Sequence, residues 1–289
     1  MPRTIEFLEP RTLDEAVSLL DSYAGEARVL AGATAVTILL RQGLIHPAAL
    51  ISIGRLPGLH EIRQIDGALH FGALVTHRDV ERSAQVREAL PCLAEVFGTV
   101  ANVRVRNAAT VGGVLAEADY ASDPPAAFLA LDAVVEAHGP EGAREIPIAE
   151  FFQGFYATSL ADNEIVTGIW VPIPEPGLNA VYEKFVTRSS EDRPCVGAFA
   201  AVRLADDKHA CAELRVAVGA ASETPQRFPD LESLAHDQPM TESLARTIAD
   251  GYAERIDTLA DLRGSAWYRT EMVRVWVRRC IQRAVCGAI

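Results

Sequence analysis

Apolar positions change their period several times along the N-terminal part of the chain. Thr4 to Leu8 alternate and predict a strand, which Pro10 interrupts. Thr12 and Glu15 have the S/T-x-x-E spacing of a capping box. Ala16, Val17, Leu19 and Leu20 follow at helical spacing, predicting a helix to about Tyr23 that Gly25 ends. Arg28 to Ala31 predict a short strand, Gly32 a turn, and Thr34 to Gln42 a second helix stopped at Gly43. From Leu50 to Leu74 the pattern becomes short β-like runs, ISIG and ALHFGAL, broken by Pro57, Gly58 and Gly67. Arg78 to Phe97 read as a helix with Leu90, Leu93, Val96 and Phe97 on one face. A Gly/Ala-rich passage then leads into a helix from Pro124 to about Leu131, and strands around 134–137 and 165–171 bracket an aromatic loop, FFQGFY.

PIPEPG at 172–177, with three prolines in six residues, marks a linker and a domain boundary. Beyond it, residues 181–186, 197–204 and 212–220 predict three strands, and 231–254 and 265–285 predict helices. Strands followed by helices indicate an α+β layer rather than alternating βαβ units. No repeat and no low-complexity tract interrupts the pattern.

Composition narrows the class. A chain of 289 residues, 49% hydrophobic and 23% charged, matches an ordinary globular protein of more than one unit. Val29 to Leu40 is too short to cross a bilayer, and the acids Glu6 and Glu9 break any secretory signal, so a cytoplasmic protein is expected. The net charge of −12 repels phosphate backbones, which argues against a nucleic-acid partner. The cysteines at 92, 195, 211, 280 and 286 form no C-x-x-C pair and read as reduced, mostly buried thiols. That leaves no basis for a zinc ribbon or an iron–sulfur cluster on this chain. Seven histidines avoid H-x-x-x-H and H-E-x-x-H spacing, so no metal ligands are assigned. There is no G-x-S-x-G of a hydrolase. The last helix carries Arg269, Arg274, Arg278, Arg279 and Arg283, read as a solvated basic face over a core stripe or as a docking surface for an acidic partner.

Two glycine-centred turns carry the candidate chemistry, Ala31-Gly32-Ala33-Thr34-Ala35 and Thr110-Val111-Gly112-Gly113-Val114. In the first, a strand feeds through glycine into a helix, so backbone N–H groups and the positive end of the dipole converge where an anion can bind. In the second, adjacent glycines bring bare backbone toward a ligand, and Thr110 offers a hydroxyl. Each turn is also read as an ordinary connection, because neither matches G-x-G-x-x-G or a P-loop. Asp119 and Asp123 follow at i and i+4, as acceptors for ribose or flavin donors, with Asp123 alternatively the N-cap of the Pro124 helix.

The segment VRVRNAATVGGVLAEADYASDPPAAFLALDA at 103–133 resembles the RN-x-x-T-[IV]-GG-N-x-x-x-AD-x-x-x-D-x-P stretch of the medium, FAD-binding subunits of the molybdenum hydroxylases, the family of carbon monoxide and xanthine dehydrogenases. The turn at 31–35, FFQGFYATSLADNEIVTGIWVP, YEKFVTRSSEDRPCVG and GSAWYR at 264–269 extend the resemblance nearly end to end. It implies an α+β fold: a two-part FAD-binding domain of the vanillyl-alcohol-oxidase (PCMH) type at 1–176, with subdomains about 1–56 and 57–176. A smaller α+β domain of the carbon monoxide dehydrogenase flavoprotein type then occupies 177–289. It further implies that Leu30, Ala31, Gly32, Ala33, Thr34 and Ala35, together with Thr110, Val111, Gly112, Gly113 and Val114, lie at the FAD diphosphate and flavin. Asp123 makes a polar cofactor contact in that scheme, and Ile165 and Lys184 flank the ring, although a strand lysine is commonly a solvated charge. A cation there stabilises reduced, anionic flavin.

Three positions depart from the family pattern: Ala33 for a glycine, Ala35 for a polar residue, and Val114 for an asparagine. Ala101 stands where some relatives place an aromatic against the ring. These departures predict weaker FAD binding, whereas the intact Gly32, Gly112 and Gly113 favour retention. The implied function is electron relay. A large molybdopterin subunit hydroxylates substrate, a small subunit with two [2Fe-2S] clusters passes electrons to FAD here, and an external acceptor receives them. The implied assembly is a dimer of heterotrimers. The alternatives are a stand-alone flavoenzyme of the same fold and a scaffold subunit with a decayed site.

Overall fold

A computed structural model describes residues 4–205 and 209–288. The first unit contains β1 (Glu6–Leu8), α1 (Leu13–Ser22), β2 (Ala27–Leu30), α2 (Thr34–Arg41) and β3 (Ala49–Ser52), with parallel strands in the order β1-β3-β2. Thr12 caps α1 by accepting from the Glu15 N–H at 3.1 Å. Glu15 reaches back to the Arg11 N–H at 2.7 Å rather than to Thr12, so only half of the predicted capping box forms. Ala16, Val17 and Leu20 of α1 pack on Ala49 and Ile51 of β3.

The second unit runs through β4 (Ile62–Ile65), β5 (Ala68–Gly72), α3 (His77–Arg82), α4 (Ala84–Ala89), α5 (Pro91–Gly98), α6 (Val103–Arg106), α7 (Val111–Glu117) and α8 (Pro124–Ala130). It continues with β6 (Val134–Gly139), β7 (Gly142–Pro147), α9 (Ile148–Phe151), the short strands β8 (Phe152–Gly154) and β9 (Ala157–Thr158), and β10 (Ile165–Pro172). An antiparallel sheet in the order β4-β5-β10-β6-β7 backs the helices. The helix predicted over 78–97 is three helices. Ser83 ends α3 and caps α4 by accepting from the Val86 N–H at 3.3 Å, and Pro91 opens α5 at a position where a missing N–H costs nothing.

Beyond the proline-rich segment, β11 (Asn179–Phe185), β12 (Val196–Leu204) and β13 (Cys211–Gly219) form an antiparallel sheet, followed by α10 (Pro229–Glu232), α11 (Glu242–Arg255) and α12 (Ala266–Ala288). The helix predicted over 231–254 is broken. A 3-10 turn at Ser233–Ala235 follows α10, and α11 starts only after Thr241 caps it. Side chains on β12 alternate between two cores: Ala198, Ala200 and Val202 face α11 and α12, while Phe199 and Ala201 join the core of the second unit. The basic-face reading of α12 needs correction at Arg269. It is fully buried, donates to the carbonyls of Cys195 and Ala220, and pairs with Asp261. Four cysteines are buried and Cys286 is exposed. Among the described residues, no helix is long and apolar enough to cross a membrane.

Candidate functional site

The first turn is open. Leu30 ends β2, Ala33 is left-handed (φ 58°, ψ 9°), and α2 starts at Thr34 with no side-chain cap. Among the described residues, the N–H groups of Gly32, Ala33, Thr34, Ala35 and Val36 meet no acceptor. A row of free donors thus stands at the positive end of an eight-residue helix that carries no acid. Gly32 is required by packing as well, since a Cβ there would lie 1.7 Å from the Ala108 carbonyl oxygen. The first turn therefore rests on the backbone that leads into the second.

The second turn is closed. Thr110 caps α7 by accepting from the Gly113 N–H at 3.0 Å, while Val111 and Gly112 donate to the carbonyls of Val75 and Ala73, both at 2.9 Å. The donors expected to face a ligand are spent within the chain. The space at Gly112 belongs to Ala73, whose Cβ would be 2.6 Å from an added Cβ, so that glycine serves packing rather than ligand approach. At Gly113 the added atom would meet only the Thr110 hydroxyl, at 2.8 Å. That hydroxyl still has its proton to donate. Val114 continues the helix through its N–H to the Thr110 carbonyl at 3.0 Å.

Asp123 precedes α8 but makes no cap hydrogen bond, which corrects the N-cap reading. Its Oδ1 accepts from the Tyr182 hydroxyl at 2.8 Å and its Oδ2 from Lys184 Nζ at 3.0 Å. Lys184 also donates to the Thr99 carbonyl at 2.9 Å, and its side chain is 8% exposed, so it is not a solvated strand lysine. Burial raises the Asp123 pKa, against the pull of Lys184 and of the Tyr182 hydrogen bond. Burial and the neighbouring Asp123 push Tyr182 well above its ordinary range, so the phenol keeps its proton.

Ala101, two residues from Thr99, is left-handed at φ 43°. Arg106 Nη1 donates to the carbonyls of Val100 and Ala101 at 3.0 and 2.9 Å, and its Nε pairs with Glu81 at 2.9 Å. Three successive carbonyls, 99 to 101, are thus drawn to cations. His77 lies beneath the second turn, its backbone N–H on the Ala109 carbonyl at 2.9 Å and its ring edge-on to Phe97 at 4.9 Å. Burial lowers its pKa to about 4, the Thr110 backbone opposing and Arg106 adding, so it is neutral near pH 7. Ile165, 3% exposed, packs with Ile51 and Leu74 in the core of the first unit.

The structure therefore brings Gly32 of the first turn against the 108–109 backbone and joins Asp123 to Lys184 across the two halves of the chain. Tyr182 and Arg106 were not singled out from sequence. The signal for Tyr182 was its i, i+2 spacing from Lys184 on a strand, which puts both side chains on one face.

Residues 3–174 match the family described as FAD binding domain in molybdopterin dehydrogenase, and residues 180–284 match the CO dehydrogenase flavoprotein C-terminal domain. The chain belongs to this family of FAD-binding oxidoreductase subunits. It is similar to the nicotine 6-hydroxylase medium subunit of Paenarthrobacter nicotinovorans, 31% identical over 97% of each chain. The carbon monoxide dehydrogenase medium chain of Hydrogenophaga pseudoflava is also 31% identical, over 98% of each chain. The solved carbon monoxide dehydrogenase of H. pseudoflava lacking the Mo-pyranopterin moiety superposes with a TM-score of 0.95 at 30% identity, covering 100% of this chain and 99% of that one. Quinoline 2-oxidoreductase from Pseudomonas putida 86 gives 0.93 at 28% identity, covering 99% and 98%. The fold is the two-part FAD-binding domain followed by the flavoprotein C-terminal domain, as the resemblance at 103–133 implied.

Proposed function

We propose that this chain holds one FAD and relays electrons through it within a larger oxidoreductase. In this reading a molybdopterin subunit oxidises the substrate, a small subunit passes the electrons through two [2Fe-2S] clusters, and an external acceptor takes them from this chain. The assembly is a dimer of heterotrimers in the cytoplasm, with a FAD-binding domain at 1–176 and the second domain at 177–289. The observation that carries the reading is the row of five free N–H groups at Gly32–Val36, which fits a diphosphate with no side-chain charge needed.

Leu30–Ala35 would hold the diphosphate, with the Thr110 hydroxyl donating from the second turn. Val111 to Val114 would line the site next to Thr110, while the Ala108–Ala109 backbone abuts Gly32 of the first turn. Ala101, Ile165 and Lys184 would border the isoalloxazine, and Asp123 would act through Lys184, both of its oxygens being engaged from within the chain. FAD supplies reversible electron uptake and release when bound. Lys184, held 3.0 Å from buried Asp123, would turn its ammonium toward a flavin that gains negative charge. The buried Tyr182 phenol holds that lysine pair in place without releasing its own proton.

The test is an absorption spectrum of the freshly purified native assembly, then heat release and chromatography of the cofactor. About one FAD per chain together with iron–sulfur absorbance supports the relay. A colourless chain that takes up no added FAD overturns it in favour of the scaffold alternative.

A further inference from the structure

Helix α8 is gripped at both ends by the C-terminal half of the chain. All seven of its residues are buried, and its middle packs closely on β13, where a Cβ on Gly219 would lie 3.2 Å from the Ala126 Cβ. At the N-terminal end, Asp123 is held by Tyr182 and Lys184 of β11. At the other end the helix closes through the Ala133 N–H to the Phe128 carbonyl at 3.1 Å, with Asp132 left-handed at φ 53°.

That far end meets two arginines. Arg227 Nη1 reaches the Leu129 and Ala130 carbonyls at 3.2 and 3.5 Å and the Asp132 carboxylate at 2.6 Å. Arg215 Nη1 reaches the Ala130 carbonyl at 3.4 Å and Asp132 at 3.1 Å. Each arginine is braced by a second acid. Glu232 receives Arg227 at 2.8 and 3.0 Å and also takes the Val216 N–H at 2.7 Å, while Glu213 receives Arg215 at 2.6 Å. The signs suit the helix dipole: cations sit at its negative end and a carboxylate at its positive end.

We propose that α8 is a rigid strut and that the Arg215–Asp132–Arg227 cluster is a positioning device for Lys184, acting through the length of the helix on Asp123. Seven helical residues span about 10 Å, and a helix packed on every side moves as a body. With its middle fixed by the Ala126–Gly219 contact, release of the far end turns the near end, and Asp123 and Lys184 no longer hold their register. Arg215, Asp132 and Arg227 are not among the residues proposed to border the flavin. The claim that Lys184 borders the flavin rests on the function proposed above, whereas the claim that the cluster shields Lys184 does not.

Only two lysines, Lys184 and Lys208, occur in the sequence, so amine labelling read by mass spectrometry resolves Lys184 cleanly. Asp132→Asn is the first variant, because Asp132 is 60% exposed and asparagine tolerates a left-handed backbone. Arg227→Gln is the second. In the native assembly, both are expected to raise the acylation rate of Lys184 severalfold over wild type and to shift the flavin midpoint potential. Wild-type Lys184 protection in Asp132→Asn, even with a lowered melting temperature, overturns the strut. Should Arg227→Gln not fold, Asp132→Asn decides alone. Faster labelling with an unchanged potential supports the strut and refutes the placement of Lys184 beside the flavin.

Discussion

Replacing Lys184 by methionine keeps an unbranched stem of similar reach and removes the charge that Asp123 faces. The carboxylate, 3% exposed, is left with the Tyr182 hydroxyl alone, and the Thr99 carbonyl loses its donor. Stranding one member of a buried ion pair costs about 3–5 kcal/mol, which corresponds to a melting temperature lower by roughly 6–15 °C. Asp123→Asn added to Lys184→Met removes the stranded charge and should recover much of that loss, a coupling that a double-mutant cycle measures directly. The deficit also depends on pH. Burial raises the Asp123 pKa and Lys184 lowers it, so the methionine variant raises it further. A carboxyl whose folded pKa is raised contributes stability that is present below its unfolded value of about 3.9 and is lost as pH rises through the folded value. The variant should therefore fall furthest behind wild type at neutral pH and approach it on acidification. Thermal unfolding of the chain by circular dichroism across that range is the assay. A loss under about 1 kcal/mol at pH 7, the value of an exposed pair, or a deficit that ignores pH would refute the reasoning.

Gly112→Ala should destabilise more than Gly113→Ala, by about 1–3 kcal/mol of overpacking, because its Cβ would meet the Ala73 Cβ at 2.6 Å and carbonyl oxygen at 2.9 Å. Equal urea midpoints for the two would contradict the assignment of that space to Ala73. Ala33→Gly relieves a left-handed alanine worth about 1–2 kcal/mol and adds about 0.4–1 kcal/mol of unfolded-state freedom, for a small net gain in urea stability; a net loss would mean that the turn is not left-handed at 33. Asp261→Asn leaves fully buried Arg269 without its charge partner, at about 3–5 kcal/mol. Burial pushes the Asp261 pKa up, but the Arg263 N–H, the Tyr120 hydroxyl and Arg269 together outweigh it and hold it at about 2. Its contribution is then present above about 3.9 and lost as pH falls through the folded value, so the gap between variant and wild type should close in acid.

The strands and helices of the first unit were legible because their apolar spacing and breakers are local, and the 103–133 segment carried the family. Residue type did not reveal whether a backbone donor is free. The two glycine turns look alike in sequence, yet the first leaves its N–H groups open while the second spends one on the local Thr110 cap and others on Val75 and Ala73, partners that only tertiary packing supplies. The single helix expected over 78–97 divides into three for the opposite reason. Its apolar face is continuous, but Ser83 and Pro91 impose caps that split the run. Arg269 and Lys184 illustrate the hardest case. A charge is read as solvated unless something nearby promises a partner, and here the partners lie 8 and 61 residues away in the chain. Asp123 is where these failures meet. Its place before Pro124-Pro125 predicted a local cap, whereas the fold uses it to tie β11 to α8, and through that helix to Arg215 and Arg227. A carboxylate that caps only its own helix would report on nothing beyond it. Tied this way, it makes the electrostatics beside the proposed flavin depend on how the two halves of the chain are joined.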